Sequence, residues 1–560
     1  MIHPTPDHLD GQSRVTGLAM PSQDLNVAFV DREASGVREK FIPWRERLFV
    51  FGFPLCVGVV AGAQLYSWLS EDRALSLHGF ALLALTSLLF CWESLSAATA
   101  LLGFVTARHS PAERPVDRLN VAILLPMFDE DAHDAIGRSI RLLRSVSTGH
   151  PHRFSLHVLS DSRRETSVTK ERTIVQNVFL KHSPLAIHYH HREKNTDFKA
   201  GNIRAWIERE AAPYDAMLVL DADSHMSREG VLQITNELAS EPSCGLVQSL
   251  PAVLPGHTVW QWMQAFASQV YGRVQGRGQA RWMGREANYY GHNAIIRTRA
   301  FAACAGLPHL AVGTPLSGPI MSHDFVEAAL LRRAGWGIVL LPDVPSSFEE
   351  TPANITGFIK RDTRWCYGNL QHLHVVGTSG LHGLSRLHFL HGAATYVAPL
   401  VWFSTLILWN TLEAPRDFEL AAASLPALAI TLVLLPKILG IADHIRNRNA
   451  PIATTAKSAL AELALSTLLA PTLMVQRIFI LTKILASSGC QWTASSGRAG
   501  FLDLIRFHAA EWVTGLVLAA LFFWGAMSTW ILPVALSLLI SPCVSYAVSF
   551  APRPDWFEKP

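Results

Sequence analysis

Charge is scarce in this chain. Asp, Glu, Lys and Arg make up 17% of its 560 residues, against 49% hydrophobic residues. That balance is too apolar for an ordinary soluble enzyme and too charged for a chain that is all membrane, so it implies a mixture. The net charge of +3 lacks the basic excess of a nucleic-acid binder, and no nucleic acid is expected as a partner. Paired cysteines are also missing. The seven cysteines lie far apart and form no CxxC, which argues against a disulfide framework or zinc site and reads them as buried apolar thiols. A cleaved signal peptide is not indicated, because the first forty-odd residues are polar and the apolar stretch begins too late. Residues 1–47 read as a flexible cytosolic tail.

What the chain does have is long apolar runs. A bilayer span needs roughly 20 apolar residues. Leu48–Ser70 has no charge, and Leu77–Val105 carries only Glu93. These make two spans within residues 48–107. Further spans are expected at Leu387–Asn410 and Glu419–Pro436, and two more in the uncharged stretch between Glu511 and Arg553, with a turn near Ser528. Residues 458–486 are apolar but interrupted by Pro471, Arg477 and Lys483. A re-entrant or interfacial hairpin is the favoured reading there, with one tilted span as the alternative. The expectation is six full spans in all, two within 48–107 and four within 387–549, plus one partial element near 458–486. Lys and Arg favour the cytosolic side. The basic stretches Arg108–Arg114, Arg446–Lys457 and Arg498–Arg506 then place the central region, both termini and the short tail 550–560 in the cytosol.

The region between the membrane groups alternates strands and helices. Leu119–Leu125, Ser155–Ser160, Leu185–His190 and Ala216–Leu220 read as strands, with helices near Asp134–Val146, Ala200–Glu210 and Ser227–Leu238. This predicts an α/β domain over 116–345 with a parallel sheet, whose ligands bind beyond the carboxyl ends of the strands. Polar clusters sit at those ends. Pro126-Met-Phe-Asp129-Glu130 follows the first strand and Asp161 the second. Asp221-Ala-Asp223 follows Ala216–Leu220, where two hard carboxylates suit Mg²⁺ or Mn²⁺ on phosphate oxygens, although a solvated turn would read the same. Lys199-Ala-Gly-Asn202 offers a cation beside a glycine, or merely a helix start. Ser322-His323-Asp324 precedes a helical run, so Asp324 is an N-cap, a catalytic base, or both. Within 346–386, Arg361-Asp-Thr-Arg364-Trp365 offers two cations for a diphosphate and an indole for a sugar face, or a basic helix at the membrane interface. His188, His190 and His191 show no carboxylate partner in the sequence, which argues against a metal there.

Taken in order, Asp161, Lys199-Ala-Gly-Asn202, Asp221-x-Asp223, Asp324 and Arg361-x-x-Arg364-Trp365 resemble the processive family 2 glycosyltransferases, which include cellulose and hyaluronan synthases. Arg361 stands where the general motif has Gln, and Ser-His-Asp where many members have Thr-Glu-Asp. Both departures, with Tyr290-Gly-His-Asn-Ala-Ile-Ile-Arg297 and Met321–Trp336, are similar to the glucans biosynthesis glucosyltransferases of type H, which make osmoregulated periplasmic glucans. The resemblance implies an α/β GT-A-type domain inserted between transmembrane helices of the bacterial inner membrane. It implies UDP-glucose as donor, a divalent cation, and a β-1,2-linked glucan made with inversion and moved to the periplasm. Carried onto this chain, it places Pro126, Asp129, Glu130, Asp161, Lys199, Asn202, Asp221, Arg361 and Arg364 on the donor, with Asp161 at the uridine. Asp221 and Asp223 would be at the metal, His323 and Trp365 at the acceptor, and Asp324 the general base. Acyl carrier protein and periplasmic glucan-processing proteins are partners associated with that family. Two other readings stay open: another polysaccharide or lipid-linked sugar transferase of the same class, and a transporter with a nucleotide-sensing domain.

Overall fold

The computed structural model describes residues 17–34, 42–70, 75–106, 117–180, 185–311, 316–411, 420–448, 451–486 and 500–551. The basic segment 108–114, Arg498 and nearly all of the C-terminal tail lie outside the described residues. Two apolar helices open the chain, α1 (Trp44–Leu69) and α2 (Leu77–Val105), the second started by Ser76, whose side chain accepts from the Gly79 amide.

The central domain follows the predicted alternation. Its elements are β1 (Asn120–Met127), α3 (Ala132–Ser145), β2 (Arg153–Ser160), α4 (Glu165–Leu180), β3 (Ile187–His191), α5 (Phe198–Glu210), β4 (Ala216–Val219), β5 (His225–Met226), α6 (Arg228–Ser240), β6 (Cys244–Ser249), β7 (Ala252–Val253), α7 (Val259–Phe266), α8 (Gly272–Met283), β8 (Ala294–Arg297), α9 (Thr298–Cys304), α10 (His323–Arg333), β9 (Gly337–Leu341), β10 (Ser347–Glu349) and α11 (Ile355–Val375). Seven strands form one sheet in the order β3-β2-β1-β4-β8-β6-β9, and a small second sheet runs β5-β10-β7. The pairs β1–β2, β1–β4 and β2–β3 are parallel. The run Val121–Leu125 is buried throughout, as a strand covered on both faces requires. β8 runs antiparallel to both of its neighbours. Its first residue therefore lies beside the last residue of β4, through the pairing of Val219 with Ala294.

The remaining helices are α12 (Gly383–Asn410), α13 (Leu420–Arg448), α14 (Ile452–Ala486), α15 (Phe501–Phe507), α16 (Ala509–Phe523), α17 (Leu532–Leu539) and α18 (Ser541–Phe550). Among the described residues, α1, α2, α12, α13 and α14 are long and apolar enough to cross a membrane. Two further pairs pass that test only together: α15 with α16, bent by 62°, and Thr529–Leu539 with α18, bent by 51°.

Two expectations need correction. The 458–486 stretch is not a hairpin but the greater part of the single 35-residue helix α14. Its ionised groups do not break the helix because neighbouring elements meet them. Arg477 pairs with the buried Asp362 of α11 at 3.0 Å, and Glu462 pairs with Lys437 of α13 at 2.6 Å. A paired charge can stay where a lone one could not. The described part of the N-terminal tail is also not loose. Residues 17–34 lie as a strap on the central domain, with Leu18, Gln23 and Asp31 donating backbone bonds to Ile207, Gly306 and Ala334. Arg333 reaches the side chain of Gln23 at 2.8 Å, and Met20 and Ala34 are buried. An extended segment whose backbone groups find partners in the domain is held by them.

Candidate active site

The carboxyl ends of the parallel strands collect the polar residues that the sequence singled out. Met127 and Ser160 are register partners, and the amide of Asp161 donates to Met127. Pro126 lies within β1 itself, opposite Leu159. Asp129 adopts a left-handed backbone at φ 57°, a conformation Asp tolerates better than most residues. Its amide donates to Ser162 and its carboxylate lies 3.4 Å from Arg164. Glu130 accepts from the Phe128 amide beside the same strand ends. Loss of solvent around the carboxyl, and then the negative charges of Asp221 and Asp223, raise its pKa although the residue keeps an exposed surface.

Asp161 is gripped by Arg192, at the end of β3, through two bonds of 2.7 and 2.8 Å. Burial raises its pKa against the opposing pull of that guanidinium. Asn202 on α5 is buried, and its amide donates to the Leu159 carbonyl at 2.9 Å. In this structure it fixes the end of β2 and the residues that follow it.

The centre of the site is a short chain of contacts around Gly291. Lys199, in the first turn of α5, pairs with Asp221 and donates to the Gly291 carbonyl at 2.7 Å. Tyr289 donates to the same carbonyl at 2.8 Å. Gly291 has φ 87°, and a Cβ built there would sit 3.5 Å from Asp324 Oδ2. The glycine thus satisfies a left-handed turn and leaves its flank open to the Asp324 carboxylate. Asp324 lies in the first turn of α10, where the helix dipole favours negative charge. Burial still dominates and raises its pKa, while the neighbouring His323 opposes the rise. His323 itself faces Glu327 at 3.0 Å.

The Asp221–Asp223 turn is held from two sides. Arg138 donates to the Ala222 carbonyl at 2.7 Å, and Ser224 receives the Asp221 amide at 2.9 Å. Ser224 also meets His292 at 3.3 Å, His292 lies 3.4 Å from Glu349, and Glu349 pairs with Arg361 at 3.1 Å. The Arg361 guanidinium stacks over Trp365 at 4.6 Å from the ring centre, an attractive cation–ring geometry. Burial disfavours charge on both His292 and Glu349. Their mutual contact outweighs it, raising the His292 pKa and lowering that of Glu349. Burial likewise raises Asp223, helped by the charge of Asp221, whereas Lys199 overcomes burial to lower Asp221. Crowded hard carboxylates of this kind suit a divalent cation. Trp365 is 42% exposed and so can be reached from outside. Arg364 is half-buried one residue before it on α11.

Residues 216–440 match the family described as "Glycosyl transferase family group 2". A glucans biosynthesis glucosyltransferase H of Rhodopseudomonas palustris is 34% identical, over 95% of this chain and 80% of that protein. One from Vibrio cholerae is also 34% identical, over 93% and 77%. The chain belongs to the glucans biosynthesis glucosyltransferase H family. It carries a GT-A-type α/β domain set between membrane helices, and it is a glucosyltransferase of family 2. Among solved structures, a mannosyltransferase of Pyrobaculum calidifontis in complex with GDP-Man and Mn²⁺ superposes loosely. It is 16% identical, with a TM-score of 0.42 over 66% of this chain and 99% of that one.

Within this family member, the structure adds four residues to those read from sequence: Arg192, Ser224, His292 and Glu349. Arg192 and Glu349 sit at strand ends that short-range patterning leaves vague. Ser224 and His292 become neighbours only because β8 is antiparallel to β4. The signal for His292 was present in Tyr290-Gly-His-Asn, a polar break just before an apolar strand.

Proposed function

We propose that this protein is an inner-membrane processive synthase that transfers glucose from UDP-glucose, with inversion, onto a growing β-1,2-linked glucan and moves the product to the periplasm. The observation that carries this reading is the contact chain Asp221–Lys199–Gly291–Asp324. It sets a candidate base beside a carboxylate turn suited to a nucleoside diphosphate. Asp161, with Pro126, Asp129 and Glu130 around the same strand ends, takes the uridine side. Arg361 and Arg364 take the diphosphate, while Trp365 and His323 take the acceptor sugar. Asn202 serves the donor by holding the end of β2.

A Mg²⁺ or Mn²⁺ ion held by Asp221 and Asp223 would neutralise charge on the departing diphosphate. The protein's own contribution is orientation and proton removal. Asp324 accepts the proton of the acceptor hydroxyl, and its raised pKa makes it a stronger base than an exposed Asp. Lys199 and Arg361 supply fixed positive charge where negative charge develops on the leaving group. The link from Arg361 through Glu349 and His292 to Ser224 keeps the cation and the carboxylate turn in register.

Location supports processivity. α11 carries Trp365 on one side and is tied to α14 through Asp362 and Arg477, so the acceptor end lies against the membrane helices. The catalytic domain and both termini are assigned to the cytosol on the distribution of basic residues. The experiment is incorporation of label from a panel of UDP-sugars by purified full-length protein, with and without a chelator, followed by linkage analysis. Divalent-dependent incorporation from UDP-glucose alone into β-1,2-glucan is expected. A β-1,4 product would move the protein to the cellulose-type alternative, and transport without transfer would remove the enzyme reading.

A further inference from the structure

Away from the cleft, His157 of β2, His190 of β3 and Glu210 of α5 converge, with one ligand atom from each all within 4.8 Å of one another. The histidine-rich strand shows no carboxylate partner in sequence. The fold supplies one by laying the end of α5 against the edge of the sheet. Trp206 donates its indole N–H to His157 Nδ1 at 3.0 Å. An indole nitrogen can only donate, so this nitrogen of His157 carries a lone pair. Its other nitrogen meets the hydroxyls of Tyr214 and Ser155 at 3.0 and 3.1 Å.

His190 then faces a difficulty. Its Nε2 lies 3.3 Å from His157 Nδ1, the nitrogen that carries the lone pair, and its Nδ1 lies 3.0 Å from the Glu210 carboxylate. Both of its neighbours are acceptors, yet a neutral imidazole has one N–H. A positive charge shared among the three groups resolves this, either a second proton or a metal ion. Two imidazoles and one carboxylate form a donor set preferred by Zn²⁺ and its neighbours. With metal–ligand bonds of about 2.0 Å, the edges of a tetrahedron are about 3.3 Å. The spacings of 3.3 and 3.7 Å from His157 Nδ1 to His190 and Glu210 are close to that.

We propose that His157, His190 and Glu210 form a structural site for a Zn²⁺-class cation that clamps β2, β3 and α5 together. Each of those elements carries a donor-site residue: Asp161 just past β2, Arg192 just past β3, and Lys199 at the start of α5. The site is reachable, since the side chains of Glu210 and His190 are 32% and 24% exposed. His157 itself is fully buried. Coordination at His157 requires the Trp206 indole to give up its bond. His188, stacked on His157 at 4.6 Å between ring centres, stands ready on the open side.

The test uses full-length protein in detergent, freed of any affinity tag, stripped with chelator and titrated with Zn²⁺ or Co²⁺. The Asp223→Asn background separates this site from the carboxylate turn of the cleft. One retained equivalent of Zn²⁺ is expected, with the visible absorption of four-coordinate Co²⁺. Amide exchange over residues 187–191 should slow on loading. His190→Gln and Glu210→Gln should each weaken binding at least tenfold. Loading in both variants equal to that of the parent, or no retained equivalent in the parent, overturns the proposal and leaves a shared proton as the occupant.

Discussion

Replacing one glycine on α11 should disable the reaction without touching any group that meets substrate. Gly368 packs against Ser322, the residue that begins α10. A Cβ at 368 would lie 2.5 Å from the Ser322 amide nitrogen and 2.8 Å from its Cβ. Ordinary contacts of this kind lie near 3.5 Å, so Gly368→Ala forces a separation of roughly 1 Å. Overpacking of this size costs about 1 to 3 kcal/mol. Helix propensity acts in the opposite direction, favouring Ala by about 1 kcal/mol, so it cannot explain a loss. Ser322 is also tied to α11 through His372, which contacts its carbonyl at 2.9 Å, and Gln371 receives the Met321 amide at 2.8 Å. The push therefore reaches the first turn of α10 and moves Asp324. Misplacement by about 1 Å costs on the order of 100-fold in rate. The assay is glucan synthesis from labelled UDP-glucose, beside direct measurement of UDP binding. A drop of about 100-fold in kcat with UDP affinity kept within about threefold is expected. Turnover within twofold of the parent would refute the claim that α11 sets the position of the base, and equal loss of UDP binding would point to general damage.

Three further outcomes follow from the same geometry. Asp324 must be ionised to accept a proton, and burial holds its pKa above the usual Asp range. Activity should therefore fall on the acid side at a higher pH than an exposed Asp would give. His323→Gln removes a charge that lowers that pKa, so the acid limb of the kcat profile should move further up; an unchanged limb contradicts the assignment. Glu349→Gln weakens the bridge between His292 and Arg361. Loss of a charged hydrogen bond worth about 1.5 to 3 kcal/mol should raise the donor KM roughly tenfold or more, measured by initial rates over a UDP-glucose series. Arg477→Met leaves the buried Asp362 without its cation and should cost about 3 kcal/mol of stability. Adding Asp362→Leu should recover more than half of that loss in thermal unfolding of detergent-solubilised protein, although Tyr396 also donates to Asp362 at 3.1 Å.

Much of this architecture was legible in the sequence because it is written in short-range patterns. The apolar run Leu119–Leu125 read as a strand and lies almost wholly in β1, and Asp221-Ala-Asp223, separated from the end of β4 by Leu220 alone, fell at a strand end as expected. What escaped was set by contacts between distant segments. α14 looked broken because Pro471, Arg477 and Lys483 were judged from the sequence alone; the partner of Arg477, Asp362, comes from another helix. The N-terminal tail looked loose because few of its residues are apolar, yet its backbone bonds and the grip of Arg333 hold residues 17–34 in place. His292 and Glu349 lie 57 residues apart in number but share one contact of 3.4 Å. Only an antiparallel β8 and the small sheet through β10 bring them to the same edge. Local pattern thus marks where a ligand can bind, while the positioning of the groups around it depends on topology.

The most direct test of the central claim is the Asp324→Asn variant of the full-length protein, assayed for both UDP binding and polymer synthesis in the presence of Mg²⁺ or Mn²⁺. The substitution preserves shape and removes the capacity to take a proton. The account predicts UDP affinity near that of the parent and glucan synthesis reduced by a factor of about 10³ or more, the upper range for loss of a general base. Full polymer synthesis in that variant would contradict it.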